Sequence, residues 1–290
     1  MDTLKTILVT GANGQLGMEL RALAGAYPAF HFLFVTKEEL SVIDEKAINE
    51  YFSEHQIDYC VNCAAYTAVD KAEKDMGVSY SVNAVAVGYL AAACKRQQVK
   101  FIHISTDYVF AGNAAKPYKE TDETDPLNYY GYTKLQGEKK VFAANEQSVI
   151  IRTSWVYSSF GKNFVKTMIR LMNEKQSIGV VADQFGCPTY AADLAMAIMQ
   201  IISAQNFVPG IYHYCNKGII SWHDFAVEIK HLVHSNCTVN PITTDEYPTP
   251  AKRPHYSAFD TSKIEQTFHL HIPMWQDSLR SCMVLMQRDY

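Results

Sequence analysis

The chain has little of what would commit it to nucleic acid, a membrane or the cell exterior. Its 290 residues carry 26 Lys and Arg against 30 Asp and Glu, a net charge of −4, with no block of like charge. A nucleic-acid partner asks for a basic face, so none is expected. No uninterrupted apolar run reaches the ~20 residues of a membrane span, so no membrane partner is expected either. Met1-Asp2-Thr3-Leu4-Lys5 leads straight into a strand-like Thr6-Ile7-Leu8-Val9 rather than into a secretory leader. A cytoplasmic location follows as the expectation. Seven cysteines at irregular spacings, an odd number, exclude a complete disulfide framework. Cys60 and Cys63 do form a Cys-x-x-Cys, but within Asp58-Tyr59-Cys60-Val61-Asn62-Cys63, which has the pattern of a buried strand. Residues three apart on a strand face opposite sides, and a redox dithiol prefers a helix N-terminus. His231, His234 and Cys237 have ligand-like spacing but no fourth ligand nearby. No metal is expected.

What is present is a large apolar fraction, 48%, enough for one large core or a main domain with a smaller companion. Strand-like runs alternate with helical patterns: Thr6 to Val9, Phe30 to Val35, Tyr59 to Asn62, Phe101 to Ile104 and Ser148 to Arg152. Helices are expected from Glu45 to about His55, around Val82–Gln98, near Asn163–Lys175 and over Ala191–Ser203, with Ser221 and Asp224 forming a capping box for another. Strands and helices in that alternation imply an α/β fold, a Rossmann-type doubly wound parallel sheet. Residues 1–157, with a returning segment near 190–215, are expected to hold a dinucleotide. Residues 158–290 are expected to be mainly a substrate-binding region, with a Pro- and Thr-rich loop from Asn236 to Asp260.

The first strand runs into Gly11-Ala12-Asn13-Gly14-Gln15-Leu16-Gly17, followed by a helix whose buried stripe is Leu16, Leu20 and Leu23. Glycines there permit a tight turn, the approach of a pyrophosphate and close helix–sheet packing. The helix's free N–H groups and dipole suit the phosphates. After the second strand come Thr36-Lys37-Glu38-Glu39: Lys37 suits the 2′-phosphate of NADP, either glutamate the hydroxyl of NAD. The cofactor is therefore NADPH or NADH. The third strand ends in Cys63-Ala64-Ala65-Tyr66, small residues that let a flat ring lie close.

The chemistry concentrates between Phe101 and Glu138. An apolar strand delivers Ser105, Thr106 and Asp107. After a polar loop comes Tyr130-Gly131-Tyr132-Thr133-Lys134; of eighteen tyrosines only Tyr130 has a lysine four residues on. On a helix the two share a face about a turn apart, and a nearby ammonium lowers a phenol's pKa toward useful proton exchange. Tyr130 and Lys134 thus suit a carbonyl–alcohol interconversion.

These stretches, with Ser105-Thr106-Asp107-Tyr108-Val109-Phe110, Arg152-Thr153-Ser154-Trp155-Val156-Tyr157, Asp183-Gln184-Phe185-Gly186-Cys187-Pro188-Thr189 and Arg253-Pro254, resemble the extended short-chain dehydrogenase/reductase superfamily. Within it they resemble the dTDP-4-dehydrorhamnose reductase family over nearly the whole chain. The resemblance implies reduction of the C4 ketone of a dTDP-keto-sugar. Tyr130 would protonate the C4 oxygen, Thr106 would hydrogen-bond it, and Lys134 would lower the tyrosine's pKa and hold the nicotinamide ribose. Asp107 and Trp155 would position the sugar. Gly11, Asn13, Gly14, Gln15, Leu16, Gly17, Val42, Ala64, Ala65 and Tyr66 would line the cofactor. Some relatives dimerise around magnesium through three glutamates; Glu19 matches the first, but Pro188 to Leu194 lacks the second. No bridging metal and a monomer or weak homodimer are implied. Ser41 stands where many relatives carry Asp. The alternatives are a non-catalytic dinucleotide-binding subunit of the same fold, or another nucleotide-sugar reductase or epimerase.

Overall fold

Ile7-Leu8-Val9, fully buried, form the centre of β1 (Lys5–Thr10) in the computed structural model, which describes residues 4–288. β1 pairs in parallel with β2 (Phe30–Val35) on one side and β3 (Tyr59–Asn62) on the other. β4 (Lys100–Thr106), β5 (Val149–Thr153) and β6 (Gly210–Tyr214) follow in turn, all parallel, completing a six-stranded sheet of order 2-1-3-4-5-6. Alternate residues feed two cores. Ile7 and Val9 point to the face covered by α1 (Gln15–Leu23), and Leu8 to the face covered by α2 (Glu45–Glu54). That alternation is why these strands are apolar on both sides, as a doubly covered parallel sheet requires.

The second face is completed by α3 (Met76–Arg96) and α4 (Tyr129–Ala144), and the first by α6 (Ala191–Ser203), which follows α5 (Phe164–Glu174). α3 corrects one expectation. It begins six residues before Val82, through a π-helical turn at Ser81–Val85. It is also, at 21 residues, long and apolar enough by length and composition to cross a membrane. Its Val87, Leu90, Ala91 and Cys94 are spent on the α2-side core, each at most 1% exposed.

Beyond β5 a separate cluster gathers Val165 and Met168 of α5, Phe225 and Ile229 of α7 (Trp222–Leu232), and Leu279 and Cys282 near the end of the described chain. α7 opens on the expected capping box between Ser221 and Asp224. The Pro-rich stretch is not wholly loop: Thr238–Ile242 pairs in parallel with Ser177–Val181. Pro241 argues against a strand in the sequence, and the pairing holds because this two-stranded ribbon has edges on both sides.

Candidate active site

The strand order reverses between β1 and β3, and ligands of such sheets bind beyond the strands' C-terminal ends at that point. The glycine loop lies there. Gly11 has φ +65°, and a Cβ on it would sit 2.6 Å from the backbone nitrogen of Ala64. A Cβ on Gly17 would sit 2.5 Å from the Gly11 carbonyl oxygen, so α1 packs onto the loop only without one. Gly14 is the N-cap of α1 and offers no side-chain cap, leaving the first-turn N–H groups open to an anion. Those open donors and close-packed glycines fit a dinucleotide pyrophosphate.

A cavity of about 590 Å³ runs from this loop across the ends of β3, β4 and β5. Asn13, Gly14, Gln15, Leu16, Gly17, Ala65, Thr106, Asp107, Tyr130, Lys134 and Trp155 all line it. Gly11 and Ala64 lie behind the wall, against each other. Tyr66 turns its hydroxyl to Asp75, and its backbone is clamped by Asn83 through bonds of 2.8 and 3.0 Å. Val42 packs half-buried on the α2-side core.

The catalytic candidates are held by the strand–helix geometry the sequence implied. Thr106 ends β4 and Asp107 opens the single 3-10 turn that follows; the Thr106 hydroxyl donates to Asp107 Oδ1 at 3.0 Å and accepts from the Tyr108 N–H at 3.3 Å. Asn128 caps α4 by accepting from the Gly131 N–H at 2.8 Å. Gly131 has no room for a side chain, since a Cβ there would reach the Tyr108 carbonyl oxygen at 2.1 Å. Close contact with the β4 exit thus sets Tyr130 beside Thr106. Burial pushes the Tyr130 phenol well up, a hydrogen bond with Thr106 opposes this, and Asp107 adds to it. Lys134, one helical turn on, lines the same cavity; its Nζ donates to the Ile104 carbonyl at 2.6 Å, and burial brings its ammonium down to about 8. Asp107, 3% exposed with Oδ2 unpartnered, is raised by burial to about 6. Behind them Arg152 grips Glu138 through bonds of 2.9 and 2.7 Å, and Ser105 donates to the same carboxylate.

Several cavity residues escaped the sequence reasoning. Trp222, the first residue of α7, stacks on Trp155 with ring centroids 3.5 Å apart. Trp155 itself has φ +48°, a backbone state rare for a bulky residue and often kept at functional sites. Lys162 lines the mouth, beside Asn163, whose amide donates to Gln15 Oε1 at 3.0 Å. Arg253 reaches Asp70 at 2.9 Å, tying the Pro-rich loop over the edge of the site. Only Arg253-Pro254 carried a signal in the sequence. Past β2, Glu39 accepts from the Thr36 N–H at 2.8 Å, so one of the two candidate ribose carboxylates is engaged locally. His231, His234 and Cys237 are not joined by a further ligand among the described residues.

Comparison with known proteins places this geometry. The family model described as RmlD substrate binding domain matches residues 5–288. A dTDP-4-dehydrorhamnose reductase of Aggregatibacter actinomycetemcomitans is 40% identical over 285 residues, covering 95% of this chain and 97% of that protein. The crystal structure of a dTDP-4-dehydrorhamnose reductase from Clostridium acetobutylicum superposes with a TM-score of 0.93 at 42% identity, over 97% of this chain and 99% of its own. That of Bacillus anthracis, in complex with NADP, gives a TM-score of 0.94 at 36% identity over the same shares.

Proposed function

The chain belongs to the RmlD substrate binding domain family, and from that premise we propose that it reduces dTDP-4-dehydro-L-rhamnose to dTDP-L-rhamnose with NADPH or NADH. The observation that carries the reading is the meeting of Thr106, Tyr130 and Lys134 on one cavity whose other wall is the glycine loop. The bound dinucleotide supplies the hydride. The open N–H groups of the first turn of α1 would bind its pyrophosphate.

The remaining work falls to side chains. The Tyr130 phenol, kept protonated by burial, donates its proton to the C4 oxygen as charge develops there. The Thr106 hydroxyl fixes that oxygen beside the phenol. Lys134 holds ribose hydroxyls and supplies positive charge near the reacting centre. Asp107 and the Trp155–Trp222 stack border the sugar and limit its rotation, while Lys162 is placed to meet phosphate at the mouth. Of the other residues named for the cofactor, Ala65 lines the cavity, Gly11 and Ala64 shape its floor from behind, and Tyr66 and Val42 lie outside its lining.

Residues 1–157 with 190–215 are assigned to the dinucleotide, and 158–290 mainly to the sugar. A dTDP-sugar as the partner, a cytoplasmic location and a monomer or weak homodimer belong to the same reading. A pure binding subunit would need no proton donor, and the intact Thr106, Tyr130 and Lys134 favour an enzyme over it. The test is spectrophotometric. Oxidation of NADPH or NADH should match dTDP-4-dehydro-L-rhamnose mole for mole, and purified protein should retain little cofactor. Sugar turnover without net oxidation of cofactor would overturn the assignment.

A further inference from the structure

Behind Lys134 a line of buried polar side chains crosses the centre of the sheet. Thr10 at the end of β1 donates to Asn62 Oδ1 at 2.6 Å, and the backbone N–H of Ala64 donates to the same atom at 3.2 Å. A backbone N–H can only donate, so that atom is the amide oxygen and the other end of Asn62 is the NH₂ group. This NH₂ lies 3.0 Å from Nδ1 of His103 on β4. Nδ1 must therefore be the acceptor. Thr10, Asn62 and His103 are at most 1% exposed. Burial, and then the charge of Lys134, keep the imidazole neutral, so its single proton is on Nε2. Nε2 in turn lies 3.4 Å from Nζ of Lys134. An N–H donor faces the lysine nitrogen there, an arrangement that suits the amine's lone pair and opposes the ammonium.

We propose that Thr10, Asn62 and His103 form a positioning chain that locks one imidazole tautomer and thereby sets the charge carried by Lys134 in the active site. It rests on the reading of Lys134 as part of a reductase site. Other groups also face the lysine. On its own helix are the Tyr130 phenol and the Glu138 carboxylate, which favours the ammonium but is shared with Arg152 and Ser105. At the end of β3 is the Cys63 thiol, kept from ionising by burial. On β4 the Ile104 carbonyl accepts from the ammonium at 2.6 Å, and His103 opposes it. Of these, only His103 presents a donor whose direction one upstream side chain decides.

Asn62→Asp reverses the lock. A carboxylate still accepts from Thr10 and Ala64 but would also accept from an Nδ1–H, leaving Nε2 bare to accept from the ammonium. His103→Phe removes the donor and keeps a ring in its place. The ¹⁵N spectrum of the imidazoles, with His103 assigned by its loss in His103→Phe, should show a bare Nδ1 and a protonated Nε2 in the wild type, and the opposite in Asn62→Asp. The alkaline limb of the kcat profile should move up by about one pH unit or more in both variants, as expected when a group opposing the ammonium is removed. A merely structural role would lower kcat at every pH and leave the limb in place. A wild-type His103 protonated on Nδ1, or an unmoved limb in variants that melt like the wild type, would overturn the proposal. If Asn62→Asp does not fold, the wild-type tautomer and the His103→Phe limb decide. The tautomer measurement needs no substrate, so a failure of the keto-sugar to turn over would count against the reductase reading and not against this one.

Discussion

On the proposed reading the chemistry turns on Tyr130. Tyr130→Phe should leave dinucleotide affinity intact and lower turnover by a factor of roughly 10²–10⁴, as loss of a general acid does. Fluorescence titration of the dinucleotide and steady-state rates check the two halves. Lys134→Met should harm both, because Lys134 is proposed to serve the cofactor and the reacting centre. Asp107 makes a pH-dependent prediction. Its folded pKa, about 6, lies above the ordinary 3.8, so the fold favours the neutral acid. The resulting cost is absent below the unfolded value, grows as pH rises through about 6, and is full above it. Asp107→Asn should therefore stabilise the protein by about 1–3 kcal/mol near pH 8 and by little near pH 4, while weakening sugar binding. Thermal melts at the two pH values would show it; an equal shift at both would contradict it. Thr106, Asp107, Tyr130 and Lys134 were legible because one strand, loop and helix bring them together over a short stretch. Trp222, Lys162 and Asp70 were not, since each reaches the site from an element whose placement only the packed tertiary structure determines. The direction in which Lys134 points was also illegible, because the Ile104 carbonyl that receives it is a backbone group without a sequence signature.

At the scale of elements, the proposed reading divides cofactor and sugar between the glycine loop and the covering loop. In Gly17→Ala the new Cβ would meet Gly11 and Ala12 backbone atoms at 2.5–2.9 Å, and backbone cannot yield as a flexible side chain can. α1 should lift from the loop, and dinucleotide affinity and melting temperature should fall together. The Asp70–Arg253 pair is partly exposed, 40% and 23% at its side chains, so it is worth at most about 1 kcal/mol. Asp70→Ala should accordingly raise KM for the sugar by up to about five-fold and leave cofactor binding unchanged. A matching loss of cofactor affinity would show that the tether serves the sheet rather than the loop. The first five sheet strands and α6 followed from apolar runs and periodicity, whereas β6 was expected only as part of a returning segment and not as a strand. The early start of α3 did not, because its π turn breaks the helical period where Asn83 reaches Tyr66 and Thr133. Nor did Thr238–Ile242, where Pro241 masks a strand.

For the molecule as a whole, the order 2-1-3-4-5-6 puts the glycine loop, Thr106 and the chain after β5 beyond the C-terminal ends of the strands of one sheet, where dinucleotide and sugar are proposed to meet. Glu19, which in some relatives would hold a bridging magnesium, is 5% exposed and accepts from Ser158 at 2.6 Å. EDTA should then change neither activity nor sedimentation, and a chelator-dependent change in mass would show that other carboxylates bridge two copies. The proposed reaction is hydride transfer from an exchangeable cofactor to C4 of the sugar. It is tested most directly with NADPH carrying deuterium at the transferable position of the nicotinamide, incubated with dTDP-4-dehydro-L-rhamnose. The expected product is dTDP-L-rhamnose with a single deuterium at C4 and one equivalent of NADP formed. Product free of deuterium, with the labelled NADPH unconsumed, would contradict the reductase assignment.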